Sequence, residues 1–493
     1  MPGGNQVPLA PEELRKLISS ALPERADASG PIEPASVYLP ASHLKALRPD
    51  AVLISGMRGA GKSFWWTVLQ DQTVRRLLHK VDPKVEIEER TEVAVGFGER
   101  PNSEAYPDRD MLASLLNSGL PPRMIWRSVV VRHHVPDGHE LKVAPTWEQR
   151  VRWVQAHPEE TAKLLEQRDR ELEQRATWHI TLFDALDRSA SDWQTMDSLI
   201  RGLLQVALDF RSYRRLRVKC FLREDQLDEN RVGSFADASK VLGSRIELSW
   251  DREDLYGMLW QYMANAPSGE AERFRRMAEG IFRKPFEEVT ATGDSFGGFY
   301  RVPPVEAELH KELFEKIAGQ WMGRGPKRGR TYTWIPNHLA DARQRTSPRS
   351  FLVALRTAAE DSDRRYPRHE RALHYESIKA GVREASKARV LELGEDYPWV
   401  GVFMKALSGL TVPCDFRQVK KRWEQTSAFA EARKLCGQAK SPLPPSRLDE
   451  GPEGVRKDLE DLGVFQRLSD GRVNIPDVFR IGYGLGRRGG VRP

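Results

Sequence analysis

The sequence predicts an α/β protein: a core on a central parallel sheet, then a helical segment, then a small C-terminal domain of winged-helix shape. Three observations carry this. The apolar segment 51–55 turns through glycines into an amphipathic stretch that starts at Lys62. Apolar, β-branched runs at 91–97, 124–132, 178–183, 216–223 and 245–250 are mostly separated by helical patterns, an alternation that builds parallel sheets. Past Trp250 the β signal fades into helical periodicity until Asp470-Gly471, a hairpin turn signal.

Composition bounds the rest. A chain of 493 residues exceeds one ordinary core, and about two to four domains are expected. Charged residues make up 30% and apolar residues 40%, which suits a globular protein with a heavily charged surface. The net charge of +7 and pI near 9.2 permit nucleic-acid contact without requiring it. No apolar run approaches a membrane span, and Met1-Pro2-Gly3-Gly4-Asn5 carries no basic-then-apolar signal pattern. Cys220, Cys414 and Cys436 are far apart, without metal-ligand spacing. A reducing cytoplasm is the expected location, with no membrane contact.

Taken in order, residues 1–36 read as a polar, Pro-rich N-terminal arm with a short helix near 11–22. Residues 37–250 are the expected core. Gly56 to Ser63 fits G-x-x-x-x-G-K-[ST], a phosphate-binding loop. Gly56, Gly59, Ala60 and Gly61 let backbone N–H groups converge on phosphate oxygens, and the helix that follows presents its positive end. Lys62 is expected on the β- and γ-phosphates and Ser63 on Mg²⁺, so the ligand predicted is a nucleoside triphosphate with Mg²⁺, ATP or GTP. Residues 147–175 read as one long charged helix. The apolar run ending at Asp184 is the expected second metal-side element, its carboxylate at the sheet edge beside the loop. Asp187 is the candidate for polarising the attacking water, with a capping or salt-bridging aspartate as the alternative. A helix over 193–211 leads to a strand over 216–223. Its end places Arg223 to sense the γ-phosphate, or leaves it as a surface arginine.

Residues 251–396 read as a helical lid. The basic loop 323–330 reads as a solvated turn, with phosphate contact as the alternative. Pro348 opens a helix and aims Arg349 from its first turn, toward the nucleotide on this reading. Residues 397–493 read as the winged-helix-like domain: helices near 399–410, 416–425 and 454–464, then the hairpin, then a flexible, basic, Gly-rich tail from Gly482. The third helix carries three acids against two bases, which argues against tight DNA reading.

Met57-Arg58-Gly59-Ala60-Gly61-Lys62-Ser63 is similar to the Arg-Gly-x-Gly-Lys-Ser loop of the additional-strand, catalytic-acid (ASCE) division of P-loop NTPases. Within it, Asp184-Ala185-Leu186-Asp187 resembles the Walker B element of the STAND group, and with Arg188 it looks like the Asp-Leu-Asp-Arg ending of KAP proteins. Arg223 at a strand end resembles the STAND sensor, and Pro348-Arg349 the Pro-Arg that follows the ATPase core in these groups. The chain departs from KAP proteins in lacking membrane segments, and from STAND proteins in having Arg188 where Glu often stands and no repeat array. The resemblance implies an ATP-hydrolysing regulatory switch, AAA-like in build, that works with partner proteins, with antiviral defence as its setting. A homo-oligomer driven by ATP is a separate hypothesis, with Arg188 or Arg245 as the arginine finger acting across its boundary. Two alternatives stand beside the switch: a DNA-associated ATPase of loader or transposition type that holds duplex DNA through the winged helix, and a non-hydrolysing nucleotide-binding scaffold.

Overall fold

The structure is a computed structural model that describes residues 9–24, 32–33, 36–290, 298–436 and 443–487. It divides into two compact units, Ala41–Ser249 and a second made of Met1–Pro40 with Trp250–Pro493.

The Ala41–Ser249 unit is built on five parallel strands: β1 (Leu53–Gly56), β2 (Glu92–Phe97), β3 (His179–Phe183), β4 (Leu216–Arg223) and β5 (Ile246–Glu247). Their spatial order is β2-β3-β4-β1-β5, so β4 lies between the glycine-loop strand and the strand that ends before Asp184. Every residue of β1 and β3 is buried, as strands covered on both faces must be. Register pairs Gly56 with Arg223 and Phe183 with Cys220, which brings the C-terminal ends of β1, β3 and β4 to one edge.

Two expectations of secondary structure are corrected here. The 124–132 run is the helix Pro122–Arg132, not a strand. Pro122 starts it without loss of a needed N–H, and its eleven residues bury Ile125, Trp126, Val129, Val130 and Val131. A continuous apolar run does not distinguish a buried helix from a buried strand. This helix packs on Trp193–Phe210 at Gly202, where a Cβ would lie 2.7 Å from the Arg123 nitrogen. The Trp126 indole donates to the Leu199 carbonyl at 2.9 Å. The long 147–175 helix is two, Trp147–Ala156 and Pro158–Gln174, because Pro158 cannot continue the first.

In the other unit, one apolar core runs through the segments expected as lid and as C-terminal domain. Tyr256, on the Arg252–Ala264 helix, stacks on Tyr332 at 4.4 Å and meets Phe351 edge-on at 5.1 Å. The N-terminal segment expected as an arm carries the helix Pro11–Ala21. Its stripe of Leu14, Leu17 and Ile18 is buried, and Arg15 is paired with Asp363 at 3.1 Å. An antiparallel pair, Glu287–Val289 with Phe299–Arg301, stands where only helices were expected. At the C-terminal end, the helix Gly451–Asp461 precedes an antiparallel hairpin of Gln466–Arg467 with Val473–Asn474. The tail expected to be flexible from Gly482 is held to residue 487. Leu485 is fully buried and Gly486–Arg487 pairs in parallel with Thr411–Val412. The final residues of that tail, and the Ser441-Pro442 part of the Pro-rich linker, lie outside the described residues. Among the described residues no helix is long and apolar enough to cross a membrane.

Three histidines pack together in the sheet unit. The His134 ring lies 4.3 Å from that of His179, and His133 lies 6.4 Å from His179. Among the described residues no such group has the geometry to hold a metal ion, so these are packing rings. Burial pulls the pKa of His133 to about 4, that of His134 to about 3, and that of His179 well below 6.5, with Arg132, Lys142 and Arg168 adding repulsion. The unfolded chain therefore binds more protons than the folded one below pH 6.5. Stability is full above that value and is lost as pH falls toward 4. Denaturant midpoints measured across this window should drop steadily, and His134→Phe, which keeps the ring packing on Phe210, should flatten the drop.

Candidate functional site

The site is built from the turn after β1. Gly59 and Gly61 have φ of 79° and 102°, the left-handed region that a side chain strongly disfavours. Those two residues turn the chain from Gly56 into the helix Lys62–Gln70. Ala60 is buried between them and donates its N–H to the Met57 carbonyl at 3.2 Å.

Lys62 is buried, and its ammonium donates to the carbonyls of Gly56 at 2.7 Å and Met57 at 2.9 Å. Burial lowers its pKa to about 8, against the pull of Asp184. Asp184 follows β3 directly, with its N–H bonded to the Phe97 carbonyl at the end of β2 at 3.1 Å. Burial raises its pKa. The Ser63 hydroxyl, the Ala185 N–H and the Lys62 charge oppose that rise. Ser63, Lys62 and Asp184 thus form one contiguous polar group on the sheet edge.

Ala185 has φ 58°, uncommon for a residue with a side chain. That single left-handed residue turns the chain out of β3 into the short 3-10 turn Leu186–Arg188, with Leu186 buried beneath it. The turn holds Asp187 at the edge, where one oxygen lies 3.7 Å from Nη1 of Arg223. Arg223 also lies 3.6 Å from Asp225 through Nε. Asp225 was not singled out from the sequence, since an acid in the turn after a strand has no distinctive spacing. Its charge acts on Lys62 as well.

Arg188 is exposed and paired with exposed Glu99 at 2.6 Å, and Arg245 is exposed. Arg349 belongs to the other unit, in the first turn of Pro348–Arg365, and is paired with Glu392 at 3.0 Å. A supporting relay also escaped sequence reading. The Trp65 indole donates to His43 Nδ1 at 2.9 Å, so the His43 proton sits on Nε2, which donates to the Ser249 carbonyl at 3.0 Å. Burial pulls the His43 pKa to about 4, which keeps this tautomer in place at neutral pH. The relay fixes the helix that follows the glycine loop.

No protein-family model matches the chain, and no curated protein sequence matches it either. Among solved structures it is similar to the ORC2 protein of Aeropyrum pernix, determined as ADPNP–ADP complexes. The identity is 14% over 94% of this chain and 93% of that one, with a TM-score of 0.29. A superposition that loose carries no argument, so the reading of the site rests on the chain's own residues.

The left-handed turn is open to a direct check. Ala185→Gly removes the Cβ clash and should raise stability by about 0.5–1 kcal/mol, whereas Ala185→Val should lower it by at least as much. Denaturant unfolding of the two variants measures both.

Proposed function

We propose that the chain is a Mg²⁺-dependent ATP-binding protein that hydrolyses ATP slowly and acts as a regulatory switch with partner proteins. The observation that supports this reading is the convergence of Lys62, Ser63, Asp184, Asp187 and Arg223 at one edge of a parallel sheet, around a loop whose φ angles demand glycine. Edges of this kind, beyond the carboxyl ends of parallel strands, are where α/β sheets take ligands.

Lys62 has its ammonium on two loop carbonyls, so phosphate oxygens can replace those acceptors without leaving a buried charge bare. Ser63 and Asp184 already share a hydrogen bond and supply the hydroxyl and carboxylate oxygens that a hard cation prefers. Mg²⁺ bound there would neutralise charge on the phosphates. Asp187 lies against Arg223 in the structure. A γ-phosphate competes with Asp187 for that guanidinium and frees the carboxylate to orient water. Contacts of Arg223 would then differ with and without nucleotide, as a nucleotide switch requires. We assign Arg223 the sensor role on this basis.

A second reading, a DNA-associated ATPase of loader type, is favoured by one feature. We read the C-terminal helices and hairpin as a winged-helix shape, in which the helix Gly451–Asp461 is largely self-neutralised. Arg456 pairs with Glu453 and Glu460, and Lys457 with Glu450. The helix Phe416–Gln425 exposes Lys421 and Arg422, while its Arg417 is paired with Asp415 at 2.8 Å. Such a face can follow a phosphate backbone.

Lys62→Ala should abolish binding of a fluorescent ATP analogue, and native affinity in that variant would refute the phosphate-loop reading. Asp187→Asn should keep nucleotide affinity and lose about a hundredfold in steady-state turnover. Turnover measured with and without duplex DNA, alongside molecular mass in ATP, separates the readings. Stimulation by DNA selects the loader. Slow turnover with ATP-dependent assembly, indifferent to DNA, selects the switch.

A further inference from the structure

The turn after β4 carries an acid to which the nucleotide reading gives no task. Asp225 sits in the middle of the 3-10 turn Glu224–Gln226, which follows the strand directly. The backbone on both sides of it is held. Gln226, only 1% exposed, accepts the Arg223 N–H through Oε1 at 2.8 Å. The Asp225 carbonyl accepts from Arg231 Nη2 at 2.8 Å, and that guanidinium lies 4.7 Å over the Trp193 ring. Arg231 is paired in turn with Asp197 at 3.7 Å and Asp228 at 3.5 Å. The Asp225 carboxylate therefore rides on a turn fixed against the Trp193–Phe210 helix.

The Arg223 guanidinium meets its two acids through different nitrogens. Nη1 lies 3.7 Å from Asp187 Oδ2, whereas Nε lies 3.6 Å from Asp225 Oδ1. Both contacts are longer than hydrogen bonds, so charge holds them and each can be exchanged. The planar fork spreads five N–H donors over three nitrogens, so an anion can replace one acid without displacing the other. The Arg223 and Asp225 side chains are 13% and 15% exposed, which leaves little water to screen their attraction. Asp187 is the more open partner at 25%.

We infer that Asp225 is the positioning residue for Arg223: it keeps Nε at the sheet edge while a γ-phosphate takes Nη1 from Asp187. This assignment rests on the nucleotide reading above. A cation that stabilises charge during phosphoryl transfer works only when it is held in place, and Asp187 cannot both hold it and orient water. The Asp225 charge acts on Lys62 as well, together with that of Glu224. It thus faces bound phosphates as a like charge, and removing it does not weaken nucleotide binding.

Asp225→Asn tests this role. Its turnover at saturating ATP should fall about tenfold or more, while its affinity for a fluorescent ATP analogue holds or rises. Asp225→Glu, which keeps the charge, should recover much of the turnover. In an Arg223→Ala background Asp225→Asn should cost nothing further, because Asp225 acts through the guanidinium. An acid that only braced the turn would lower the melting temperature and cut turnover equally in both backgrounds. Unchanged turnover in Asp225→Asn, or a full additional loss in the Arg223→Ala background, overturns the assignment and leaves the nucleotide reading standing. Lys62→Ala judges that reading separately: native affinity in it removes the phosphate loop and this assignment together. ATP binding without any turnover by the native chain removes the hydrolytic step, and the assignment with it.

Discussion

A buried ammonium at the end of a parallel strand is the constraint from which the sheet unit follows. Lys62 cannot lie among apolar strands without oxygens around it. Two of those oxygens are backbone carbonyls, Gly56 and Met57, and they point at the amine only because Gly59 and Gly61 take left-handed conformations. The third source of compensation is the charge of Asp184, which reaches the same edge on β3, with β4 in between. A second buried amine works in the same way. Lys219, on β4, is held by the carbonyls of Ala46, Arg48 and Ala51, and it pins the segment that feeds into β1.

The edge is electrostatically poised rather than neutral. Asp184 is buried, its pKa raised by lost hydration and restrained by Ser63, while Arg223 is shared between Asp187 and Asp225. An incoming polyanion changes the balance for all of them together, since each group lies within reach of another. A charged ligand placed at this edge would therefore act on several ion pairs at once. The coupling depends on Ala185, whose left-handed turn swings Asp187 back toward Arg223.

The second unit is organised differently, around aromatic packing instead of a sheet edge. Tyr256, Tyr332, Phe351, Trp260 and Phe274 form a dense cluster, and Trp423 and Phe465 stack in the C-terminal part of the same core. Two polar groups inside it are satisfied locally: the Trp260 indole donates to His310 Nδ1 at 3.0 Å and the Tyr256 hydroxyl to the Tyr332 carbonyl at 2.8 Å.

Local spacing was enough to read the glycine loop, because φ angles and helix initiation depend on neighbouring residues. It was enough also for β2, β3 and β4, where apolar runs are short and flanked by turns, and for Asp184 at the end of one of them. Residues 124–132 defeated the same reading, since a fully buried helix and a fully buried strand present the same apolar run. Pairings across distance were invisible for a different reason. Arg223 with Asp187, Trp65 with His43, and Leu485 within the core join residues that no periodicity connects. The sequence by itself determined where the glycine turn lies and which strand runs into Asp184. Only the tertiary structure decided which side chains meet, because strand order and ion pairing are set by how the whole chain packs.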